Sequence, residues 1–179
     1  MEPEYLIRTQ NLTKQFAIST GKKLTKTRFT AVNDINLNIC KGEVFGLVGE
    51  SGCGKSTLGL LVLRLSEASK GAVYYKDTDI SRLSYGKMRQ FRKNMQIVFQ
   101  DPYDSLDPRF NLLQIMEEPL VIHGLGDRKE RREKIIKMFS EVGLGEDLLK
   151  RYPHQLSGGQ RQRLCIARSL ILSPEFYVI

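Results

Sequence analysis

Gly49-Glu50-Ser51-Gly52-Cys53-Gly54-Lys55-Ser56-Thr57 is the stretch that decides how this chain folds. It has the spacing G-x-x-x-x-G-K-[ST] and lies between an apolar, β-branched run at 43–48 and a helical pattern at 55–64. A glycine loop between a strand and a helix is the setting of a phosphate-binding loop. Each residue type has a physical reason to be there. The glycines admit positive φ, so successive N–H groups can converge as an anion nest. The helix that follows turns the positive end of its dipole toward the same point. Lys55 is placed to reach β- and γ-phosphates, and the Ser56 hydroxyl to ligate Mg²⁺. Cys53 has only to fit inside the loop.

Strands are expected on the N-terminal side. Residues 5–16 hold one, and 32–39 alternate apolar and polar through Ile35, Leu37 and Ile39, the pattern of a half-buried strand. The polar stretch 19–27 reads as a loop or hairpin tip between them. Lys41-Gly42 then turns the chain into a further strand at 43–48. Beyond the glycine loop, Lys70-Gly71 reads as a turn before a short strand at 72–75, and 95–99 as another strand. Two prolines and three aspartates make 101–108 a loop. From 112 to 172 the pattern is helical, broken at Gly124, Gly126, Gly143 and Gly145, and Ser173-Pro174 stops it before a buried strand at 176–179. Such an order is an α/β layout carrying an inserted helical subdomain.

Composition narrows the classes. The 179 residues suit one domain with a real core, and 41% hydrophobic with 27% charged is ordinary for a globular chain. Three widely spaced cysteines, Cys40, Cys53 and Cys165, imply neither a disulfide framework nor a zinc knuckle, and a reducing cytoplasm suits them. The net charge of +8 admits nucleic acid, an anionic membrane or a phosphate ligand as partner. The densest basic run, Arg128, Lys129, Arg131, Arg132 and Lys134, is interleaved with Glu130 and Glu133 and reads as a solvated helix face. No aromatic residues alternate with the basic ones as single-strand binding requires, so no nucleic-acid partner is expected.

Leu156-Ser157-Gly158-Gly159-Gln160 forms a second motif, ahead of an apolar helix face through Leu164, Ile166, Ala167 and Leu170. Ser157 is an N-cap candidate, and the glycines expose N–H groups at a helix start, making a second anion site without a lysine.

The two motifs together resemble the ATP-binding subunit of ABC transporters, whose hallmark is L-S-G-G-Q in the same chain as G-x-x-x-x-G-K-[ST]. The resemblance runs over essentially the whole chain. The segment Phe99-Gln100-Asp101-Pro102-Tyr103-Asp104-Ser105-Leu106-Asp107-Pro108-Arg109, the insertion before Ala31-Val32 and Tyr152-Pro153-His154 look like the oligopeptide, dipeptide and nickel importer branch. The implied fold is a P-loop NTPase core of ABC type, with an N-terminal antiparallel β-subdomain and an inserted helical subdomain. Residues 1–100 would carry the β-subdomain and phosphate loop, 101–173 the Q-loop and helical subdomain, and 174–179 the start of the next core strand.

What the resemblance implies for the site can be given residue by residue. ATP would sit on Gly49, Glu50, Ser51, Gly52, Cys53, Gly54, Lys55, Ser56 and Thr57, with Phe16 stacked on adenine. Gln100 would approach Mg²⁺ and the attacking water, so that Ser56 and Gln100 serve the metal. Ser157, Gly158, Gly159 and Gln160 would meet the γ-phosphate held by a second ATPase subunit, and Lys55, Gln100 and Ser157 would carry the chemistry. The implied partners are membrane-spanning permease subunits, a second ATPase subunit and, indirectly, an extracytoplasmic substrate-binding protein. The implied location is the cytoplasmic face of the membrane. The family also places a Mg²⁺-binding aspartate, a catalytic glutamate and a switch histidine beyond the strand at 176–179. Glu175 precedes that strand and cannot replace them, so the expectation is a fold incomplete at its C-terminus that binds ATP weakly and does not hydrolyse it alone. Two alternatives stay open: a soluble ABC ATPase of DNA repair or translation, and a non-catalytic nucleotide-binding fragment.

Overall fold

The structure is a computed structural model and describes residues 4–19, 26–99 and 106–179. It divides into two compact units, Met1–Gln90 and Phe91–Ile179. Among the described residues no helix is long and apolar enough to cross a membrane.

The first unit is built on a four-stranded antiparallel sheet. Strands β1 (Tyr5–Ser19) and β2 (Lys26–Cys40) form the arms of a long hairpin, and β1 pairs on its other edge with β3 (Lys70–Tyr75), which pairs with β4 (Thr78–Asp79). Both arms extend further than the sequence pattern predicts, because cross-strand hydrogen bonds hold polar residues that alternation alone would leave in a loop. Of the tip expected at 19–27, Ser19, Lys26 and Thr27 belong to the strands, and residues 20–25 lie outside the described residues. The ladder is not regular. Asn11 and Asp34 adopt φ of 49° and 53° beside register shifts on opposite arms, and the Asn11 side-chain amide donates to Asp34 Oδ1 at 2.7 Å. Buried Thr9 accepts from the Leu37 N–H and donates to the Ile35 carbonyl, both at 2.9 Å, so no polar atom of that side chain is left unpaired. A further shift falls at Ala31: Lys14 pairs with Val32 and Gln15 with Thr30, leaving Ala31 as the extra residue of a bulge.

Helix α1 (Lys55–Val62) buries Leu58, Leu61 and Val62, and the segment after it is tied back to β1. The Ser69 N–H donates to the Thr13 carbonyl at 2.8 Å, and the Lys14 ammonium to the Glu67 carbonyl at 2.6 Å. Lys70 and Gly71, expected as a turn, belong to β3. Helix α2 (Tyr85–Arg92), which the sequence reading did not anticipate, follows and buries Met88. The run at 43–48 departs most from expectation, for it is not a strand. Val44 is 97% and Val48 94% exposed, and none of the described strands pairs with this run. A sequence apolar on both faces fits an interior parallel strand, but a strand exists only through its neighbours.

The second unit opens with β5 (Met95–Ile97), which pairs in parallel with β6 (Phe176–Val178), Met95 opposite Phe176 and Ile97 opposite Val178. Between them come α3 (Leu112–Ile122), α4 (Arg128–Glu141), two short 3₁₀ turns and α5 (Gly158–Leu170). The core gathers Leu112, Met116 and Leu120 of α3, Ile135 and Phe139 of α4, and Leu164 and Ala167 of α5. Each of the three helices starts on a reciprocal capping box: Asn111 with Gln114, Asp127 with Glu130, and Ser157 with Gln160. Arg128, Lys129, Arg132 and Lys134 of α4 form the solvated face the pattern predicts, laced by Lys129–Glu133 and Arg132–Glu146 pairs at 4.0 and 3.0 Å, but Arg131 is half-buried, donating to the Leu125 carbonyl at 2.9 Å and pairing with Glu117. Strand β6, expected to be buried, is half exposed at Tyr177.

Candidate functional site

The glycine loop lies in the first unit, and its shape follows from contacts that glycine alone permits. Gly54 has φ 98° and caps α1, accepting from the Leu58 N–H at 2.8 Å. A Cβ on Gly54 would fall on the carbonyl oxygen of Ala31, the bulged residue of β2. Here the backbone of the loop packs directly on the hairpin, an approach no other residue type could make. On the other side of the loop a Cβ on Gly49 would come 2.8 Å from Cys53 Sγ. The Lys55 ammonium folds back over the loop, donating to the carbonyls of Gly49 at 2.8 Å and Glu50 at 2.7 Å, with Cys53 Sγ at 3.8 Å. Glu50, Ser51, Gly52, Cys53 and Ser56 are exposed, and Thr57 is half-buried.

This arrangement suits a polyphosphate. A cation on a flexible stem stands at the N-terminus of a helix, beside a loop whose glycine carbons leave the backbone open to a ligand. Ser56, one residue beyond the lysine, carries an exposed hydroxyl oxygen, a hard ligand of the kind Mg²⁺ takes. The residues present therefore fit a Mg²⁺-bound nucleotide.

Phe16 lies on β1 in the same unit, 42% exposed, directly opposite Phe29 of β2. The Lys14 ammonium sits 5.0 Å from the centre of the Phe16 ring. Neither Lys14 nor Phe29 nor Ala31 was singled out by sequence reasoning. Cross-strand register could have found Phe29, but only with the hairpin tip located, and the polar stretch 19–27 leaves that tip unfixed.

The second motif lies in the second unit. Ser157 caps α5: its Oγ accepts from the Gln160 N–H at 3.3 Å, and Gln160 Oε1 accepts from the Ser157 N–H at 3.0 Å. Ser157, Gly158 and Gly159 are exposed. Gln100, together with Asp101 and Asp104, lies outside the described residues. On the described side of that loop Arg109 grips Asp107 with two nitrogens, Nε to Oδ1 at 3.0 Å and Nη2 to Oδ2 at 2.7 Å. The guanidinium's hydrogen bonds, then the Arg109 N–H, hold the Asp107 carboxyl down at about 2. The structure thus gathers the phosphate loop and Phe16 in one unit, and Ser157 to Gln160 in the other.

The chain is 44% identical over 177 residues to the oligopeptide transport ATP-binding protein AppF of Bacillus subtilis, a match covering 98% of this chain and 54% of that protein. It is 42% identical over 173 residues to the dipeptide transport ATP-binding protein DppF of Haemophilus influenzae, covering 97% and 53%. The chain thus spans about half the length of the curated relatives it matches. Among solved structures, the dimeric post-hydrolysis state of the ATP-binding cassette MJ0796 bound to ADP and Pi aligns with a TM-score of 0.82 at 31% identity, over 94% of this chain and 70% of that one. The family model described as "ABC transporter" matches residues 32–179, from the strand that meets Gly54 to the strand that follows α5. On that span the chain belongs to the ABC transporter family.

Proposed function

We propose that this chain is the nucleotide-binding part of an ATPase subunit that drives peptide import across a membrane. The observation that carries the reading is the loop from Gly49 to Thr57, with Lys55 at the start of α1 and Gly54 seated on β2. In this reading the loop N–H groups cradle the phosphates of ATP and Lys55 leaves its own carbonyls to pair with the β- and γ-oxygens. The carbonyls offer the ammonium only a dipole, whereas phosphate oxygens carry full negative charge, so the exchange is downhill. Phe16 stacks on the adenine. Ser56, with Gln100, holds Mg²⁺, which when bound neutralises charge on the phosphates. Gln100 orients the attacking water. Ser157, Gly158, Gly159 and Gln160 meet the γ-phosphate on a second ATPase subunit, so Lys55, Gln100 and Ser157 are the residues proposed to carry the chemistry. Residues 101–173 act as the subdomain that carries the Q-loop and the second motif.

The partners in this reading are permease subunits in the membrane, a second ATPase subunit and, indirectly, an extracytoplasmic binding protein; the working place is the cytoplasmic face. The names of AppF and DppF support oligopeptide or dipeptide cargo over nickel. The test is a titration of the chain with a fluorescent ATP analogue. Saturable binding that Lys55→Ala abolishes is expected, and equal affinities would remove the loop from the argument.

A further inference from the structure

Phe29 stands directly opposite Phe16 in the β1–β2 ladder, so the two side chains leave the same face of the hairpin. Directly opposed residues have Cβ atoms about 4.5–5.5 Å apart, within reach of ring contact. Both rings are left open, Phe16 at 42% and Phe29 at 50% exposure. Side by side they make an apolar patch, flanked along the ladder by the Gln15–Thr30 pair on one side and the Ala17–Arg28 pair on the other. A single exposed phenylalanine needs no explanation, but an adjacent pair on one face does.

Two further observations point to the occupant. The Lys14 ammonium takes up space 5.0 Å from the Phe16 ring centre and is pinned there by the Glu67 carbonyl at 2.6 Å. One face of Phe16 is thereby occupied, and the apolar surface left for a ligand is its other face together with the Phe29 ring. The patch is also close to the phosphate loop along the chain. Gly54 packs on Ala31, two residues from Phe29 on β2, a rise of about 7 Å.

We propose that Phe29 is a second base-contacting residue, forming with Phe16 a two-ring platform on which the nucleobase lies. The proposal rests on the reading of Phe16 as the adenine platform and adds a residue to it. Stacking tolerates every base, so the platform strengthens binding of nucleotides in general and does not select adenine over guanine.

The experiment compares ATP with inorganic tripolyphosphate, which has the phosphates and no base, by calorimetry on the 179-residue chain and its variants. Phe29→Ala is expected to weaken ATP about five- to twentyfold, the equivalent of about 1–2 kcal/mol of lost stacking, with tripolyphosphate unchanged. Phe29→Leu, which keeps apolar bulk without the ring, should lose nearly as much, and Phe29→Tyr should stay within about twofold of the parent. Phe16→Ala separates the two ideas. If it weakens ATP selectively while Phe29→Ala does nothing, Phe16 stands alone and the two-ring platform is wrong. If Phe16→Ala leaves ATP unchanged, the Phe16 reading fails and the platform with it. Equal loss of ATP and tripolyphosphate in Phe29→Ala would place Phe29 in the loop's support and overturn a role at the base.

Discussion

Gly54 and Ala31 are in backbone contact: the position a Gly54 side chain would take is held by the Ala31 carbonyl oxygen, with Val32 Cγ2 3.6 Å away. The phosphate loop is therefore fitted against a bulge in the hairpin, at the residue the β1–β2 ladder skips.

Gly54→Ala should consequently be among the most damaging single changes in the first unit. It forces alanine to a φ of 98° and drives a methyl into backbone. A loss of about 2–4 kcal/mol is expected. Gly52 supplies the control, since its φ is 82° but nothing lies within 4 Å of its Cβ position. Gly52→Ala should cost only the backbone strain, about 1–2 kcal/mol. Thermal melts of the two variants decide the matter, and equal costs would mean that contact with Ala31 contributes nothing.

Lys55→Met should abolish binding of ATP while leaving the melting temperature within a degree or two of the parent. The ammonium donates only to exposed loop atoms, the Gly49 and Glu50 carbonyls and Cys53 Sγ, which can turn to water. A large loss of stability would instead make Lys55 a structural clamp. Circular dichroism beside the nucleotide titration reads both.

How much of this was legible in the sequence depends on whether a feature is local. The Ser157 cap is set by residues within one turn of each other and stands as read, and the G-x-x-x-x-G-K-[ST] stretch opens α1 as expected, but its seat on Ala31 is a contact that its own spacing does not contain. The run at 43–48 was expected as a strand because Val44, Phe45, Leu47 and Val48 favour one, yet a strand is a relation to neighbours that its own residues do not contain. The same reason hid the length of the hairpin, whose outer ends are polar and are held by cross-strand pairing. The bulge at Ala31 and the facing of Phe29 on Phe16 depend on register, which the pattern of neither arm contains. Helix α2, with Lys87, Arg89 and Arg92 and only Met88 buried, shows too little apolar periodicity to announce itself.

Asp107 offers a pH test. Its carboxyl sits near 2 against an ordinary 3.8, so the ion pair with Arg109 favours the charged form in the folded chain. Stability from that pair is present above about 3.8 and is lost as pH falls through about 2. Arg109→Ala should raise the Asp107 midpoint toward 3.8. Carbon-detected NMR of the side-chain carboxyl follows it directly. A midpoint that does not move on removing the guanidinium would show that the grip on Asp107 does not persist in solution.

Phe139, fully buried in the centre of the second unit, tests that unit's core. Truncation to alanine removes a large side chain from among α3, α4 and α5 contacts and should cost about 3–5 kcal/mol. Denaturant unfolding reads the loss. A cost below about 1 kcal/mol would mean that this core is loosely packed.

Ser157 carries two roles that one substitution can separate. Its Oγ caps α5, and in the proposed mechanism its exposed face meets a γ-phosphate on another subunit. Alanine removes both, with about 1 kcal/mol lost from the cap. Aspartate is as good an N-cap as serine, and its charge suits the helix N-terminus, so Ser157→Asp should hold or slightly raise the melting temperature. The same carboxylate would confront a polyanion, and like charges at contact distance in a closing interface are strongly repulsive. ATP-dependent self-association, followed by light scattering, should therefore disappear in Ser157→Asp while ATP binding to the single chain is unchanged. A variant that keeps its melting temperature and still associates with ATP as the parent does would leave Ser157 as a helix cap and nothing more.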